Sequence, residues 1–258
     1  ETRNEITIWQ EWEKKLNMTD LRRYGIGGWT LNAHHWYDRE GSILYKGNGE
    51  RRRLDSDWDR IVEAFAGTGD IPPFSPTGDG GPAEDASMDS PRGIDIGPDG
   101  SVLVATIDGE RIRRIGPDGI ITTVAGNGLS GPSGSGGPAV EAALCKPTGV
   151  ALADDGSFYI AECNQVRRID PDGIIRQFAG TGTPGFSGDG GPAVDAQFDD
   201  IWDVDIGPDG SVYIADRGNR RVRCVYPDGR IETVIAGGGA ALATLTPEAL
   251  AIDGSGNI

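Results

Sequence analysis

The sequence predicts an all-β protein that folds as a β-propeller of four-stranded antiparallel blades. Two observations predict this. A unit of similar sequence occurs three times, and its corresponding glycines, Gly78, Gly134 and Gly188, lie 56 and then 54 positions apart. Each copy also contains four short apolar runs separated by turn residues. A repeated unit of four short strands is typical of a propeller blade.

The copy at 147–180 shows how each strand is predicted. PTGVAL is a β-rich run that ends at the turn residues DDG, and SFYIAE alternates in polarity as a half-buried strand does. QVRRID is the third run, and IIRQFAG follows the turn PDG, in which Pro fixes φ, Asp binds its own backbone and Gly tolerates positive φ. The glycine-rich loop before the next copy makes the unit longer than a minimal blade. Such loops carry variable, ligand-facing structure.

Less similar copies of the same unit occur towards both ends of the chain. YDREGSILY aligns with GPDGSVLVA, and TPEALAIDGSGNI aligns with PTGVALADDGSFY, so the sequence stops inside the second strand of a further blade. We expect an incomplete ring of about four blades plus part of a fifth over 25–258, preceded at 1–24 by a strand and linker from another domain. Because the chain lacks an initiator Met and a signal peptide, we interpret it as a fragment of a longer protein. The predicted blades are 25–66, 91–126, 147–180, 202–237 and, in part, 247–258.

Two sets of motifs resemble known families. GDGGPA, PDGSVYIAD, NRRVR and PDGIITTVAG, within 65–258, resemble the blade motifs of NHL-repeat propellers. GIGGWTLNAHHWYD and LYKGNGERR, within 21–54, resemble the entry to the propeller of bacterial Rhs/YD-repeat proteins and teneurins. This resemblance implies a non-catalytic binding or scaffold module of a large secreted or cell-surface protein, either a toxin carrier or an adhesion protein. Its partners would be a protein or a glycan and the remainder of its own chain.

The charge distribution excludes one class of partner. The net charge is −16; residues 1–60 carry 11 basic and 11 acidic residues, and 61–258 carry 13 and 29. An acidic propeller repels phosphate backbones, so we expect no nucleic-acid partner. It suits a cationic partner or Ca²⁺. No run of about 18 apolar residues occurs, so we expect no transmembrane helix in this segment.

The three cysteines, Cys145, Cys163 and Cys224, form no CxxC pair, which disfavours a zinc site. We interpret them as small buried side chains. A disulfide between Cys145 and Cys163 is the alternative if their strands lie adjacent. The odd number leaves the redox compartment open.

The residue pattern predicts a protein that is not an enzyme. No histidine occurs from Trp36 to Ile258, and the adjacent His34 and His35 would point to opposite faces of a strand. A Ca²⁺-dependent propeller hydrolase or lactonase is the alternative, and a protein-binding NHL domain of a regulator is a second one. Asp79 and Asp189 in GDGG are weak Ca²⁺ candidates that we interpret as structural loop residues, and we expect no other cofactor.

Residues that occur in one copy only are better functional candidates than residues that recur, because every blade needs its scaffold. The aromatic residues of the first blade suit a packing seam or a sugar or peptide platform. Two phenylalanines lie in the long loops, and three aspartates of DDIWD form an acidic cluster whose plainer interpretation is a solvated loop. The candidate binding residues are Trp29, His35, Trp36, Tyr37, Phe74, Phe186, Asp199, Asp200 and Asp203.

Overall fold

The computed structural model describes residues 36–37, 43–45, 64–69, 78–237 and 246–258. Its described part contains three four-stranded antiparallel sheets and one antiparallel strand pair, which confirms the all-β, propeller-type fold. The segment predicted as a strand and linker, most of the predicted first blade, and the candidates Trp29, His35 and Phe74 lie outside the described residues. Trp36 and Tyr37 form β1, whose side chains are also outside the description.

Each four-stranded sheet is one blade, with its strands in chain order. The strands of the first pair are β1 (Trp36–Tyr37) and β2 (Ile43–Tyr45). Blade A consists of β3 (Pro91–Ile96), β4 (Val102–Thr106), β5 (Arg111–Ile115) and β6 (Ile121–Ala125). Blade B consists of β7 (Pro147–Leu152), β8 (Phe158–Glu162), β9 (Gln165–Ile169) and β10 (Ile175–Ala179). Blade C consists of β11 (Ile201–Ile206), β12 (Val212–Asp216), β13 (Arg221–Val225) and β14 (Ile231–Ala236). Short 3₁₀ turns at Ala83–Asp85, Ala139–Glu141 and Ala193–Asp195 lie in the long loops.

The hydrophobic core lies between neighbouring blades. The first strands β3, β7 and β11 contact one another in that order. One apolar cluster joins Leu103 and Ile112 of blade A to Ile160 and Ile169 of blade B, all of them buried. A single blade could not cover its apolar face alone, so stacking of the repeats stabilises each of them.

The two ends of the blades differ. At the turn end, PDG turns join β3 to β4 and β5 to β6; Gly100 N donates to Gly97 O, and Asp99 accepts the N–H of Ser101 at 2.9 Å. The same bonds recur in blades B and C. At the loop end, the long loops between blades meet the hairpins that join the second and third strands.

Residues 246–258 follow blade C without forming a strand. Leu250 N donates to Asp203 Oδ2 at 2.8 Å and Ile252 N to Asp205 Oδ2 at 2.6 Å, so the segment lies along β11. Asp253 N donates to Asn257 O, and Gly256 N to Asp253 O, which repeats the bonds of the PDG turns. In this part of the predicted partial blade, the turn at Asp253–Asn257 is formed and the preceding residues are held beside β11 by these side-chain bonds.

Candidate functional site

A fully buried arginine on the third strand anchors each long loop to its blade. Arg113, Arg167 and Arg223 are each 0% exposed. Arg167 donates to the carbonyls of Ser133 and Ala143, and Arg223 to those of Gln197 and Ser187. These bonds tie the backbone of the loop to the third strand, and Ala143 O and Ser187 O each accept a backbone N–H from within the loop as well.

Each buried arginine also lies beside one carboxylate, which in blades A and C belongs to one of the two Ca²⁺ candidates. Arg113 lies 2.7 Å from Asp79, and Arg223 lies 2.7 Å from Asp189. The pKa of Asp189 is lowered, because hydrogen bonds from Thr233 and Arg223 outweigh the effect of burial. A guanidinium at hydrogen-bond distance holds the positive charge that these carboxylates need. Each of these two carboxylates thus pairs a long loop with the third strand of its blade.

Blade B obtains its carboxylate from another position. Ser135 stands where the other copies have Asp79 and Asp189. The carboxylate beside Arg167 is that of Glu162, at the end of β8. The two groups lie 2.5 Å apart, and both side chains are buried. Burial raises the pKa of Glu162, while Arg167 and the N–H of Cys145 act in the opposite direction.

A disulfide joins Cys145 to Cys163, with their Cα atoms 5.6 Å apart. It connects the loop that enters blade B to the two-residue turn after β8, where Glu162 pairs with Gln165. The interpretation of these two residues as free buried side chains is wrong, because the loop residue and the turn residue lie side by side. Cys224 is a free, buried cysteine, as that interpretation has it.

The most distinctive group at the loop end is a stack of two arginines on one indole ring. The guanidinium carbon of Arg92, in β3, lies 3.5 Å from the centre of the Trp202 ring, and that of Arg217 lies 4.0 Å from it. Trp202 belongs to β11, so the stack crosses from blade A to blade C over β7, which offers the small Thr148 at the equivalent position. We call Arg92, Trp202 and Arg217 the arginine–tryptophan cluster.

Acidic residues surround this cluster. Arg217 lies 2.6 Å from Asp200 and 3.4 Å from Glu248. Burial lowers the pKa of Arg92, and the charge of Glu248 acts in the opposite direction. Cation–π contacts become stronger when the cation is partly removed from water. The cluster therefore presents a partly dehydrated cationic and aromatic surface with acidic residues at its rim.

The remaining sequence candidates lie around blade C but do not form one site. Phe186 is 44% exposed and stacks under Arg221, whose guanidinium carbon is 4.2 Å from the ring centre. Asp199 binds the hairpin between β12 and β13, because its N–H donates to Asp216 and its carbonyl accepts the N–H of Gly218. Asp200 alone joins the arginine–tryptophan cluster.

Asp203 lies within β11 rather than in a solvated loop. Its carboxylate is held between the backbone of Gly149, where a Cβ would lie 2.5 Å from Asp203 Oδ1, and Leu250. Burial raises the pKa of Asp203 to about 7; the backbone N–H groups oppose this rise, and Asp205 and Asp95 add to it. Asp95, Asp203 and Asp205 thus lie on the first strands β3 and β11, which flank β7.

Sequence reasoning missed Arg92, Trp202 and Arg217. The comparison of copies contains the signal, because Arg92, Thr148 and Trp202 occupy one repeat position and Arg217 has no arginine counterpart. The described residues contain no group of three or more His, Cys, Asp or Glu side chains that could hold a metal ion. No helix among them is long and apolar enough to span a membrane.

The repeated blades, their anchoring arginines and their PDG turns define a propeller of NHL repeats. The NHL repeat model matches residues 198–225. The model described as the Teneurin NHL domain matches residues 50–131 and 128–184, which together are more than half of the chain. The chain belongs to the teneurin NHL domain family, as its motifs predict, and is a teneurin-like propeller module.

Individual relatives are distant and much longer. Teneurin-1 of Homo sapiens is 25% identical over 87% of this chain and 11% of its own length. Teneurin-m of Drosophila melanogaster is 29% identical over 67% of this chain and 8% of its own length. A solved structure of a nidogen/laminin complex contains a chain with 17% identity and a TM-score of 0.45, over 63% of this chain and 52% of that one. The chain thus spans about a tenth of the curated relatives that it matches.

Proposed function

We propose that this chain is a non-catalytic, protein-binding propeller module of a large secreted or cell-surface protein, of the teneurin or Rhs/YD-repeat kind. The arginine–tryptophan cluster is the observation that carries the proposal. Its three residues each occur in one blade only, and they meet at the loop end, where propeller loops vary. Trp and Arg are enriched among the residues that contribute most to protein interfaces.

The disulfide supports the extracellular part of the proposal. Disulfides persist in oxidising compartments and are rare in the cytosol. Cys145 and Cys163 lie on neighbouring segments of blade B, so their bond forms without any change of fold. The role as a toxin carrier or an adhesion protein rests on the resemblance to the longer families alone.

The direct test compares two variants at opposite ends of the blades. The chain, made dimeric by an Fc fusion, is screened against an array of extracellular protein domains and against a glycan array. We expect saturable binding to a protein domain that Trp202→Ala removes and Arg114→Ala keeps, because Arg114 lies at the turn end, beside Asp99. Circular dichroism establishes that both variants are folded. A glycan ligand bound through the same cluster would replace the protein partner, and equal binding by both variants would contradict the proposed surface.

A Ca²⁺-dependent hydrolase or lactonase is the second candidate, favoured by the carboxylates on the first strands β3 and β11. Asp95, Asp203 and Asp205 interact electrostatically, and the pKa of each is raised by burial. Perturbed carboxylates of this kind occur at active sites. Each also accepts a backbone N–H of the next segment, which is a structural task. Turnover of a lactone panel that EDTA and Asp203→Asn both abolish would establish this candidate instead.

A further inference from the structure

Two aspartates lie at the loop end of blade A, on the two segments that meet there. Asp89 lies in the loop that enters the blade, and Asp108 lies in the hairpin between β4 and β5. A Cβ built on Gly109 would be 3.4 Å from Asp89 Cβ, so Asp89 packs against that hairpin. Ser90 Oγ donates a hydrogen bond to Asp108 Oδ2. The loop and the hairpin are therefore joined by this side-chain bond and by the backbone bond from Ile107 N to Ser90 O.

Asp89 is buried without a full set of partners. The residue is 6% exposed, and its Oδ2 has no hydrogen-bond partner among the residues that the structure describes. Burial raises the pKa of Asp89, and the charge of Asp108 raises it further, whereas the charge of Arg111 lowers it. Arg111 directs its guanidinium to the carbonyls of Gly109 and Asn127. A buried, unpaired carboxylate oxygen is costly, so this position calls for a positive charge or a proton.

In blades B and C, other bonds join the entering loop to the turn or hairpin that follows the second strand. The position of Asp89 is occupied by Cys145 in blade B, where a disulfide joins the loop to the turn. In blade C it is occupied by Asp199, whose N–H is bound by Asp216 and whose carbonyl accepts the N–H of Gly218. Blade A has Thr106 where blade C has Asp216, and its loop and hairpin are joined by a backbone hydrogen bond from Ile107 N to Ser90 O at 3.1 Å.

We propose that Asp89 and Asp108 bind Ca²⁺, which joins the loop to the hairpin in blade A as the disulfide does in blade B. Ca²⁺ accepts carboxylate, hydroxyl and water oxygens, and it needs about six to eight of them. Asp89, Asp108 and the Ser90 hydroxyl offer protein oxygens, and the exposed position of Asp108 leaves room for water. With two carboxylates, we expect a dissociation constant on the order of 10⁻⁴–10⁻³ M, as in extracellular modules. This inference does not depend on which partner the propeller binds.

Calorimetric titration of CaCl₂ into the complete 258-residue chain, stripped with EDTA, tests the site. We expect saturable binding, together with a rise of the melting temperature by about 3 °C at ten times the dissociation constant. Asp89→Asn and Asp108→Asn should each weaken binding at least tenfold. Asp118→Asn, which removes one charge at the turn end of the same blade, should bind as the wild type does. Because Asp108 is exposed, its variant should stay folded even if Asp89→Asn does not.

Two results would overturn the proposal. One is the absence of both binding heat and thermal shift in the wild type. The other is equal affinity in Asp108→Asn and Asp118→Asn. If Ca²⁺ has no effect and Asp89→Asn raises the melting temperature at neutral pH but not at pH 4, the two carboxylates share a proton and the Ca²⁺ site does not exist.

Discussion

Both ends of the blades belong to the same repeat. The contacts at the turn end are the same in all three described blades, whereas those at the loop end differ from blade to blade. At the turn end, Asp99, Asp155 and Asp209 each accept the N–H and the hydroxyl of the serine two residues later. At the loop end, the corresponding contacts are a Ser90–Asp108 hydrogen bond in blade A, a disulfide in blade B and a hydrogen-bonded hairpin in blade C. Identical contacts point to a scaffold requirement, whereas contacts that differ between blades are free to serve function.

The buried arginines connect the two patterns. Every described blade retains the arginine, but the carboxylate that neutralises it comes from the long loop in blades A and C and from β8 in blade B. The requirement is therefore for one negative charge beside the guanidinium, not for a particular residue position. The following predictions test this difference between retained and replaceable contacts.

The largest effect should come from Glu162→Thr, which gives blade B the residue that blade A has at Thr106. Arg167 then stays buried without its carboxylate, and breaking a buried ion pair costs about 3–5 kcal/mol. Urea unfolding measures this loss. Adding Ser135→Asp should restore more than half of it, because Asp79 and Asp189 neutralise Arg113 and Arg223 from that position.

Asp216→Thr in blade C is the matched control. Arg223 retains Asp189 there, and burial raises the pKa of Asp216 to about 6, so the loss should be clearly smaller than for Glu162→Thr. Equal losses in the two blades, or failure of Ser135→Asp to rescue, would show that the arginines do not depend on a single carboxylate.

Removal of the disulfide should have the next largest effect. Cys145 and Cys163 are 18 positions apart, and a crosslink over a loop of that size contributes about 3 kcal/mol in the chain-entropy view. The double variant Cys145→Ala/Cys163→Ala should lose this amount in urea unfolding, and the wild type in a reducing agent should match it. A wild type that is insensitive to reduction would mean that the bond is absent in solution.

These residues also show what could be predicted from the sequence. Strands and PDG turns are encoded by contacts within a few positions, so alternation and turn chemistry predict them. The pairing of Cys145 with Cys163, and the arginine partners of Asp79 and Asp189, depend on the exact path of a glycine-rich loop. The stack of Arg92 on Trp202 depends on which strands of different blades are neighbours. Local patterns do not specify such contacts, although the comparison of copies could have drawn attention to Trp202.

The effect of pH on stability should be smaller than the effects of the substitutions above. Lowering the pH towards 5.5 should stabilise the fold. The pKa of Asp203 is about 7 in the folded chain, above its ordinary value of 3.8. The folded state therefore holds a proton that the unfolded state releases, so this contribution is full below about pH 4 and is lost as the pH rises to 7. Asp216, with a pKa of about 6, acts in the same direction.

We expect the melting temperature to rise as the pH is lowered from 8 to 5.5. Asp203→Asn should show a flatter profile, because the amide does not titrate in this range. Asp209→Asn is the control, because hydrogen bonds from Ser211 lower the pKa of Asp209, and its titration lies below this range. If the melting temperature of the wild type falls as the pH is lowered from 8 to 5.5, the burial of Asp203 is contradicted.

The smallest effect on stability, and the sharpest contrast between the two ends, should come from Arg217→Ala and Arg114→Ala. Both arginines form partly exposed ion pairs, with 32% and 45% of their side chains accessible. Exposed pairs contribute about 0–1 kcal/mol, so both variants should melt close to the wild type. Their effects on partner binding should separate, because Arg217 also stacks on Trp202, at 4.0 Å, whereas Arg114 pairs with the turn residue Asp99. Loss of binding in Arg217→Ala at unchanged stability would assign recognition to the loop end. Equal binding by the two variants would leave the arginine–tryptophan cluster as an internal contact that fastens blade A to blade C.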